Sequence, residues 1–271
     1  MTTWVLSLKH AAALRVDLRG IVPAALAELS LDQIERLPVF HGNDTLPLAE
    51  LCHVESVDGN GATLVLQGDF SRFDRIGWQL TGGRIEVRGN AGDYVGAGMT
   101  AGEIRVSGHA GVLAACEMQG GLLDVAGNVG DFAAAALPGS MDGMRGGTLI
   151  VQGSAADRFG DRMRRGTALV FGDAGDFLGS RMVAGSIAVG GRIGAHCAWG
   201  MRRGSIVCAG AAPSIAPTFV PTGHDISVFW QLLARDLARF GGPFAGLASK
   251  RIERIAGDLA VGGKGELLLP L

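Results

Sequence analysis

Short runs in which apolar residues alternate with polar or small ones recur along most of the chain. The pair Ile85 and Val87 is the first clear example, and equivalent pairs follow it at Ile104/Val106, Leu123/Val125, Leu149/Val151, Ile187/Val189 and Ile206/Cys208. Alternation with a period of two, carried by β-branched residues, predicts strands with one buried face.

Glycine and methionine repeat with the same period of nineteen residues. One glycine series is Gly89, Gly108, Gly127, Gly153, Gly172, Gly191 and Gly210, and a second opens each unit at Gly83, Gly102, Gly121, Gly147, Gly166, Gly185 and Gly204. The methionines are Met99, Met118, Met144, Met163, Met182 and Met201. A single step of twenty-six residues marks an insertion around 137–143. A fixed period of this size predicts a solenoid.

Nineteen residues are too few for a strand, a helix and two loops, so we expect each unit to be one coil of a parallel β-helix. The predicted fold is therefore all-β: a right-handed parallel β-helix of about seven coils over residues 62–213. Residues 1–61 form an α/β cap, and residues 214–271 form a helix and an extended tail. The glycines are expected at corners that need a positive φ.

The two ends carry their own patterns. In the cap we predict strands at 3–8 and 14–18, helices at 22–29 and 31–37, a loop at 38–48 and a strand at 49–57. Ser30 and Gln33 form a capping box for the second helix. Near the carboxyl end an extended connector at 215–223 leads to an amphipathic helix at 226–240, capped by Asp225. This helix either packs on the last coil or docks a partner, and the tail must lie on its own surface or a partner's.

Composition narrows the class of protein. The chain has 271 residues, 48% of them hydrophobic, and a formal net charge of -2. This balance gives no global indication of binding to nucleic acid or membranes. The amino terminus lacks the pattern of a signal peptide, and no apolar run is long enough to span a bilayer. We therefore expect a soluble, cytoplasmic chain.

The cysteine and histidine residues form no recognisable catalytic or metal-binding motif in the sequence. Cys52, Cys116, Cys197 and Cys208 form no Cys-x-x-Cys pair, and His196-Cys197 lacks further ligands at metal spacing. The glycine phrase resembles a phosphate-binding loop, but it recurs with no helix behind it. His109 occupies a turn position. We predict no catalytic residue, metal or cofactor on this chain.

Charged residues do recur in register. Asp93, Asp131, Asp157 and Asp176 form a column that we expect to be solvated or matched by cations of a partner. Beside the methionines lie Arg145, Arg162, Arg164, Arg165, Arg181, Arg202 and Arg203. Guanidinium groups stacked along one edge suit carboxylates or phosphates. The candidate site consists of Arg145, Arg164, Arg165, Arg202 and Arg203. Three roles are open for it: an interface with another polypeptide, a site for an anionic ligand, or a solvated edge.

The phrase Gly-x-x-Gly-x-x-x-Gly is complete at Gly89/Gly92/Gly96 and at Gly172/Gly175/Gly179. Together with the repeats, the cap motif at residues 16–20 and the tail motif at residues 262–266, it resembles the C subunit of formylmethanofuran dehydrogenase. The chain is similar most of all to the bacterial version, the C subunit of formyltransferase/hydrolase complexes. The large subunit of glutamate synthase shares the phrase in its carboxy-terminal β-helix. Ala115, Ala134, Ala156 and Ala198 depart from it, which suggests relaxed corners.

The resemblance implies a non-catalytic scaffold subunit. Its expected partners are an amidohydrolase-like A subunit that carries the metal, a B subunit, and a D subunit that is a formyltransferase. Such a complex moves a formyl group from formyl-tetrahydromethanopterin to a methanofuran-type carrier and releases formate, in the oxidation of formaldehyde. Because that carrier bears a glutamate-rich tail, the arginine edge is a candidate guide for it.

Three alternatives stay open at this point. One is the C subunit of a tungsten or molybdenum formylmethanofuran dehydrogenase. Another is a free-standing scaffold like the glutamate synthase domain, which the long cap and tail disfavour. The third is an acyltransferase with a left-handed β-helix, but that fold has coils of eighteen residues made from three hexapeptides.

Overall fold

The computed structural model describes residues 2–59, 61–223 and 225–271. In this part of the chain, strands dominate the regular structure and thirteen of them form one large sheet. The strands contributed by the repeats are all parallel to their neighbours. They are β6 (Thr63–Gln67), β8 (Thr81–Arg88), β9 (Ala101–Val106), β10 (Leu122–Val125), β11 (Arg145–Val151), β12 (Arg165–Val170), β13 (Ser186–Val189) and β14 (Ser205–Cys208).

Residues that are one period apart in the sequence are neighbours in the sheet. Ile85 of β8 pairs with Ile104 of β9, which pairs with Leu123 of β10. A second column of single bridges joins Phe70, Ala91, Ala110, Val129, Ala155, Ala174 and Ile193. Two stacked columns in every period are consistent with the predicted parallel β-helix. All six predicted inward pairs are buried, and so are the six methionines of the repeat.

Close backbone approach is common to the whole glycine series that begins at Gly89, whereas a positive φ occurs in this series only at Gly89 itself, with 154°. A Cβ added to Gly127 would lie 2.6 Å from the carbonyl oxygen of Gly108 in the preceding coil. The predicted left-handed corners exist at other positions, as at Gly121 with a φ of 83°. The prediction of relaxed corners was wrong where alanine replaces the third glycine, because Ala134 keeps a φ of 58°. An L-residue in that conformation is strained by about 1 kcal/mol.

The amino-terminal segment matches most of its predicted elements. It contains β1 (Thr2–Leu8), β2 (Val16–Asp17), α1 (Pro23–Ala27) and α2 (Leu31–Glu35). The capping box of Ser30 and Gln33 is present with both of its hydrogen bonds. The predicted loop at 38–48 was wrong. This stretch holds the hairpin of β3 (Pro38–His41) and β4 (Asp44–Pro47) and the start of α3 (Leu48–Leu51).

The cap is joined to the first coil by strand pairing and by a common core. β1 pairs with β6 in parallel, and β5 (Cys52–Asp58) then pairs with β1 in antiparallel fashion at the edge of the sheet. The predicted strand at 49–57 therefore starts later, and in the sheet it pairs with β1 rather than with a strand of the coil. β2 pairs with β7 (Phe73–Asp74), and Leu26, Ile34 and Leu48 belong to the same buried cluster as the coils.

The carboxyl-terminal segment folds back on the repeats. β17 (Gly265–Pro270) adds to β14 in parallel, and β16 (Ile252–Gly257) and β15 (Val220–Pro221) follow in antiparallel order. The tail therefore lies on the protein's own surface. The predicted helix is α4 (Ser227–Ala238). The prediction of Asp225 as its cap was wrong, because the N-cap residue is Ile226, although the amide of Ser227 donates to Asp225 Oδ1 at 2.8 Å. No helix in the described ranges is long and apolar enough to cross a bilayer.

The outward face of the sheet determines where α4 packs. In the early coils this face carries charged residues such as Glu86, Arg105 and Asp124. In the later coils the equivalent positions are apolar and lie in one buried cluster with Trp230, Ala234 and Leu237 of α4: Ile150, Leu169, Ala188 and Val207. The helix therefore covers the side of the later coils rather than their end.

Candidate functional site

The predicted arginine edge forms because the residue after each core methionine occupies the same place in its coil. The backbone N–H groups of Arg145, Arg164 and Arg202 donate to the methionine carbonyl oxygen of the preceding coil at 2.7, 2.8 and 2.8 Å. Val183 takes the one intervening place. Coils stack at about 4.8 Å, so Arg145 and Arg164 stand one such step apart and Arg164 and Arg202 two. Arg165 and Arg203 each follow one residue later, and the pairing of β11 with β12 places Arg165 opposite Arg145.

All five arginines of the candidate site line one cleft of about 770 Å³. The repeats provide one wall, and the tail provides the other through Val261, Gly262 and Lys264. The rim also includes Asp142, from the insertion in the repeat. We call this the arginine cleft. Its tail wall was not foreseen in the sequence.

Positive charge exceeds negative charge in the arginine cleft. Asp142 Oδ1 lies 2.5 Å from Arg164 Nε, and Glu117 Oε2 lies 3.6 Å from Arg145 Nη2. Within the described parts of the chain, Arg165, Arg202 and Arg203 make no salt bridge. A guanidinium does not lose its proton at physiological pH. The cleft can therefore bind and orient anions, and its arginines cannot serve as general bases.

Two arginines from the predicted edge have a different role. Asp161 is 5% exposed at its side chain and accepts hydrogen bonds from Arg181 Nε at 3.0 Å and Nη2 at 2.8 Å. Arg162 Nε lies 3.7 Å from the same carboxylate. These pairs stabilise the corner of the coil, and Arg162 and Arg181 consequently do not line the arginine cleft.

A second cavity, of about 400 Å³, adjoins the arginine cleft and shares Arg164, Arg202, Val183 and Val261 with it. Its remaining lining includes Met141 and Trp199, whose exposed fractions of 64% and 52% are large for such residues. Apolar surface thus borders the cationic surface directly.

Asp258 fastens the tail wall to the last coils. Its Oδ2 accepts the N–H of Gly200 and its Oδ1 accepts the N–H of Ala260, both at 3.0 Å. Burial raises the pKa of this carboxyl, but hydrogen bonds from Thr218 and from these two amides outweigh burial and lower it. The group is ionised at neutral pH. Lys264 N–H donates to Arg202 O at 2.6 Å and continues the attachment.

The aspartate column has a structural role that the sequence did not reveal. Asp131 Oδ1 accepts the N–H of Asp157 at 3.0 Å, and Asp157 Oδ1 accepts the N–H of Asp176 at 2.8 Å. Each carboxylate therefore binds a backbone amide in the next coil. Asp131 and Asp157 are exposed, in agreement with the expectation of a solvated column.

The turn position of His109 belongs to a second ladder of the same kind. Asn90 Oδ1 accepts the N–H of His109, and His109 Nδ1 accepts the N–H of Asn128, both at 2.9 Å. The prediction of a turn residue is confirmed.

The cysteines are buried and their thiols are protonated at neutral pH. Burial raises the pKa of Cys52 and of Cys197 to about 12, and raises those of Cys116 and Cys208 as well. His196 is exposed and stacks on Phe177 at 4.7 Å, whereas Cys197 points into the core. Among the described residues no group of three or more His, Cys, Asp or Glu side chains could hold a metal ion.

Comparison with known proteins shows to which family this chain belongs. The family model described as the GXGXG motif matches residues 74–217, which is more than half of the chain. The chain belongs to the GXGXG family. It is a homologue of the C subunits of formylmethanofuran dehydrogenases and of formyltransferase/hydrolase complexes.

Two curated relatives illustrate the range of sequence identity and coverage. The C subunit of the tungsten-containing formylmethanofuran dehydrogenase 2 of Methanococcus maripaludis is 30% identical over 95 residues, or 35% of each chain. The C subunit of the formyltransferase/hydrolase complex Fhc of Methylorubrum extorquens is 47% identical over 57 residues, which are 21% of this chain and 22% of that protein. The aligned parts thus span about a third or less of these relatives.

A solved structure extends the similarity to nearly the whole chain. It is the crystal structure of the formyltransferase/hydrolase complex FhcABCD from Methylorubrum extorquens in complex with methylofuran. The match has 40% sequence identity and a TM-score of 0.92, and it covers 98% of this chain and 99% of that one. Cap, repeats, helix and tail are all included in this coverage.

Proposed function

We propose that this chain is the C subunit of a formyltransferase/hydrolase complex and acts as its non-catalytic scaffold. The match at 40% identity over 98% of the chain to one chain of such a complex carries this proposal. Matches to the dehydrogenase C subunits cover about a third of the chain, which makes that alternative weaker. A scaffold like the glutamate synthase domain does not account for the full-length match.

In the proposed complex, the reactions belong to other subunits. A metal-dependent hydrolase on the A subunit and a formyltransferase on the D subunit, together with the B subunit, move a formyl group from formyl-tetrahydromethanopterin to a methanofuran-type carrier and release formate. This chain holds the partners in place in the cytoplasm and contributes no cofactor. Its long stack of short strands supports this role, since it gives a rigid surface on which several chains can pack.

The architecture we propose is a right-handed β-helix of about seven coils at residues 62–213, with a cap at 1–61 and a helix and tail at 214–271. The nineteen-residue stacking register and the two columns of parallel pairing support it. Because β1 and β17 both pair with strands of the repeats, we expect the three segments to unfold as one unit.

Affinity purification of the tagged, full-length chain from its native cell tests the scaffold role. We expect mass spectrometry to find an amidohydrolase-like protein and a formyltransferase in constant ratio to the chain. The recovered complex should hydrolyse the formyl donor, and the chain alone should not. Turnover by the chain alone, or constant recovery of a molybdenum or tungsten enzyme instead, would contradict the proposal.

We also propose that Arg145, Arg164, Arg165, Arg202 and Arg203 guide the anionic tail of the carrier. Their excess positive charge and their spacing along the coils support a ligand with several carboxylates. Use of the same cleft by an acidic surface of a neighbouring polypeptide in the complex remains the competing role.

Charge reversal of the arginine cleft should weaken carrier binding. In the assembled complex we expect Arg165→Glu with Arg203→Glu to raise the Kd for the carrier at least tenfold, because each charge-assisted hydrogen bond contributes about 1.5–3 kcal/mol. Arg192→Glu with Arg239→Glu is a matched control, since both arginines are exposed members of surface ion pairs and neither lines the cleft. Equal affinity of the double variant and the control would refute a role in carrier binding, and loss of the partner subunits would favour the competing role.

A further inference from the structure

The insertion that breaks the nineteen-residue period lies on the rim of the arginine cleft. It is tied down at both ends. Leu137 packs with the buried cluster that contains Cys116 and Ala135, and the N–H of Gly143 donates to Arg162 O at 3.0 Å. Between these ends, the backbone of Ser140 bonds locally, its N–H donating to Leu137 O at 2.9 Å, and the side chain of Met141 accepts a hydrogen bond from Arg162 Nη1 at 3.1 Å.

The middle of the insertion is built to tolerate movement. Gly139 has a φ of 85°, and no heavy atom of the described residues lies within 4 Å of a Cβ placed on it. Met141 is 64% exposed. Glycine in this conformation allows the loop to change its path without a steric penalty.

Asp142, near the end of the insertion, is the one carboxylate among the residues that line the arginine cleft. Its Oδ1 lies 2.5 Å from Arg164 Nε, and the two side chains are 36% and 43% exposed. An ion pair this accessible contributes little to stability and is easily exchanged for another carboxylate. The protein therefore seats one of its own carboxylates where the cleft would seat one from a ligand.

We propose that residues 137–143 form a lid whose Asp142 competes with the ligand for Arg164, and that the ligand is a soluble oligocarboxylate. The inference rests on the proposed anion-binding role of the cleft. Arg165, Arg202 and Arg203 have no salt bridge in the described structure, so they take the first carboxylates of the ligand. Arg164 becomes available only when Asp142 leaves.

A purely structural role for the pair gives a different expectation. If Asp142 only anchors the insertion, its removal loosens the rim and does not strengthen binding. If it competes, its removal frees Arg164 and also removes a negative charge from the cleft, so binding becomes tighter. The sign of the change in affinity therefore separates the two roles.

The test measures the Kd for pentaglutamate by calorimetry at low ionic strength, using the full-length chain. We expect Asp142→Asn to bind about three- to fivefold more tightly than the unmodified chain, which corresponds to an exposed ion pair near the top of the usual range. Asp32→Asn is the control, because it removes the same charge from an exposed pair with Arg36 in the cap. It should leave the Kd unchanged within a factor of 1.5 or so at this ionic strength. Uncharged pentaglutamine should not bind.

Hydrogen exchange provides an independent readout. Pentaglutamate should speed amide exchange in residues 137–143 of the unmodified chain, since the lid is displaced, and should have little further effect in Asp142→Asn. If Asp142→Asn binds pentaglutamate with equal or lower affinity than the unmodified chain, the lid proposal is wrong, and the cleft is still an anion-binding site. Absence of pentaglutamate binding in both proteins overturns the ligand class as well. If the lone chain binds pentaglutamate but the assembled complex does not, the proposal of a soluble ligand is wrong. The scaffold role is not affected by any of these results, because co-purification tests it separately.

Discussion

Replacing Asp161 with alanine is expected to lower the free energy of unfolding by about 3 kcal/mol. The carboxylate is 5% exposed and binds both Nε and Nη2 of Arg181 as well as the hydroxyl of Ser180, which is itself buried. Breaking a buried pair by removing one partner costs about 3–5 kcal/mol, because the other charge stays behind without compensation. Arg181 is 35% exposed and can reach water, so we place the loss at the lower end. Urea unfolding followed by circular dichroism measures it.

Asp236→Ala is the appropriate control for that experiment. Asp236 pairs with Arg239 at 3.0 Å on the exposed side of α4, and both side chains are more than half exposed. Its loss should change the free energy of unfolding by less than about 0.5 kcal/mol. Similar losses for the two variants would show that the Asp161 pair does not stabilise the corner.

Placing a methyl group on Gly127 should cost about 2 kcal/mol. The added Cβ would lie 2.6 Å from the carbonyl oxygen of Gly108 and 2.8 Å from its carbon, and both are backbone atoms that cannot rotate away. The coils would have to separate locally, which weakens the hydrogen bond from Gly127 N–H to Gly108 O, now 2.9 Å long. Overpacking of this kind costs about 1–3 kcal/mol.

Gly246→Ala is the matched substitution for Gly127→Ala. No heavy atom in the described ranges lies within 4 Å of a Cβ at Gly246, and its φ of -93° suits alanine. We expect a change below about 0.5 kcal/mol in the same urea titration. If the two alanine variants proved equally stable, close coil-to-coil contact would not be the reason for glycine at this position.

The repeat could be predicted because one local rule is applied many times. A pair such as Ile85 and Val87 is weak evidence for a strand, but its return in register fixes which residues stack and which face is buried. The hydrogen-bond ladders through Asp131 and His109 could not be predicted in this way. Their partners are backbone amides of the next coil, and an amide carries no sequence signal.

The cap shows a limit of a different kind. The hairpin of β3 and β4 turns at Gly42 and Asn43, since His41 pairs with Asp44. A Gly-Asn pair between two strand segments is a recognised hairpin signal, so this element could have been found. Proline residues stand at both outer ends, Pro38 and Pro47, and proline is disfavoured inside a sheet.

The stacked arginines of the candidate site could be predicted from the sequence, but the residues that form the walls of the cleft could not. Register alone placed Arg145, Arg164 and Arg202 together. It also included Arg181, which turns to Asp161 because that carboxylate is buried, and burial of a single acid cannot be derived from the repeat. The tail wall depends on contacts such as Asp258 with Gly200, which are far apart in sequence.

The way the sheet ends has a consequence for the behaviour of the protein in concentrated solution. A stack of parallel coils could in principle grow by adding another molecule at either end, as in amyloid-like fibres. Here β5 closes one end in the antiparallel direction, and the two-residue β15, which contains Pro221, closes the other. Proline lacks the amide that a further strand would need. The carboxyl-terminal edge of the sheet is therefore protected against addition of another strand, and at the opposite edge a further parallel coil would meet the antiparallel β5.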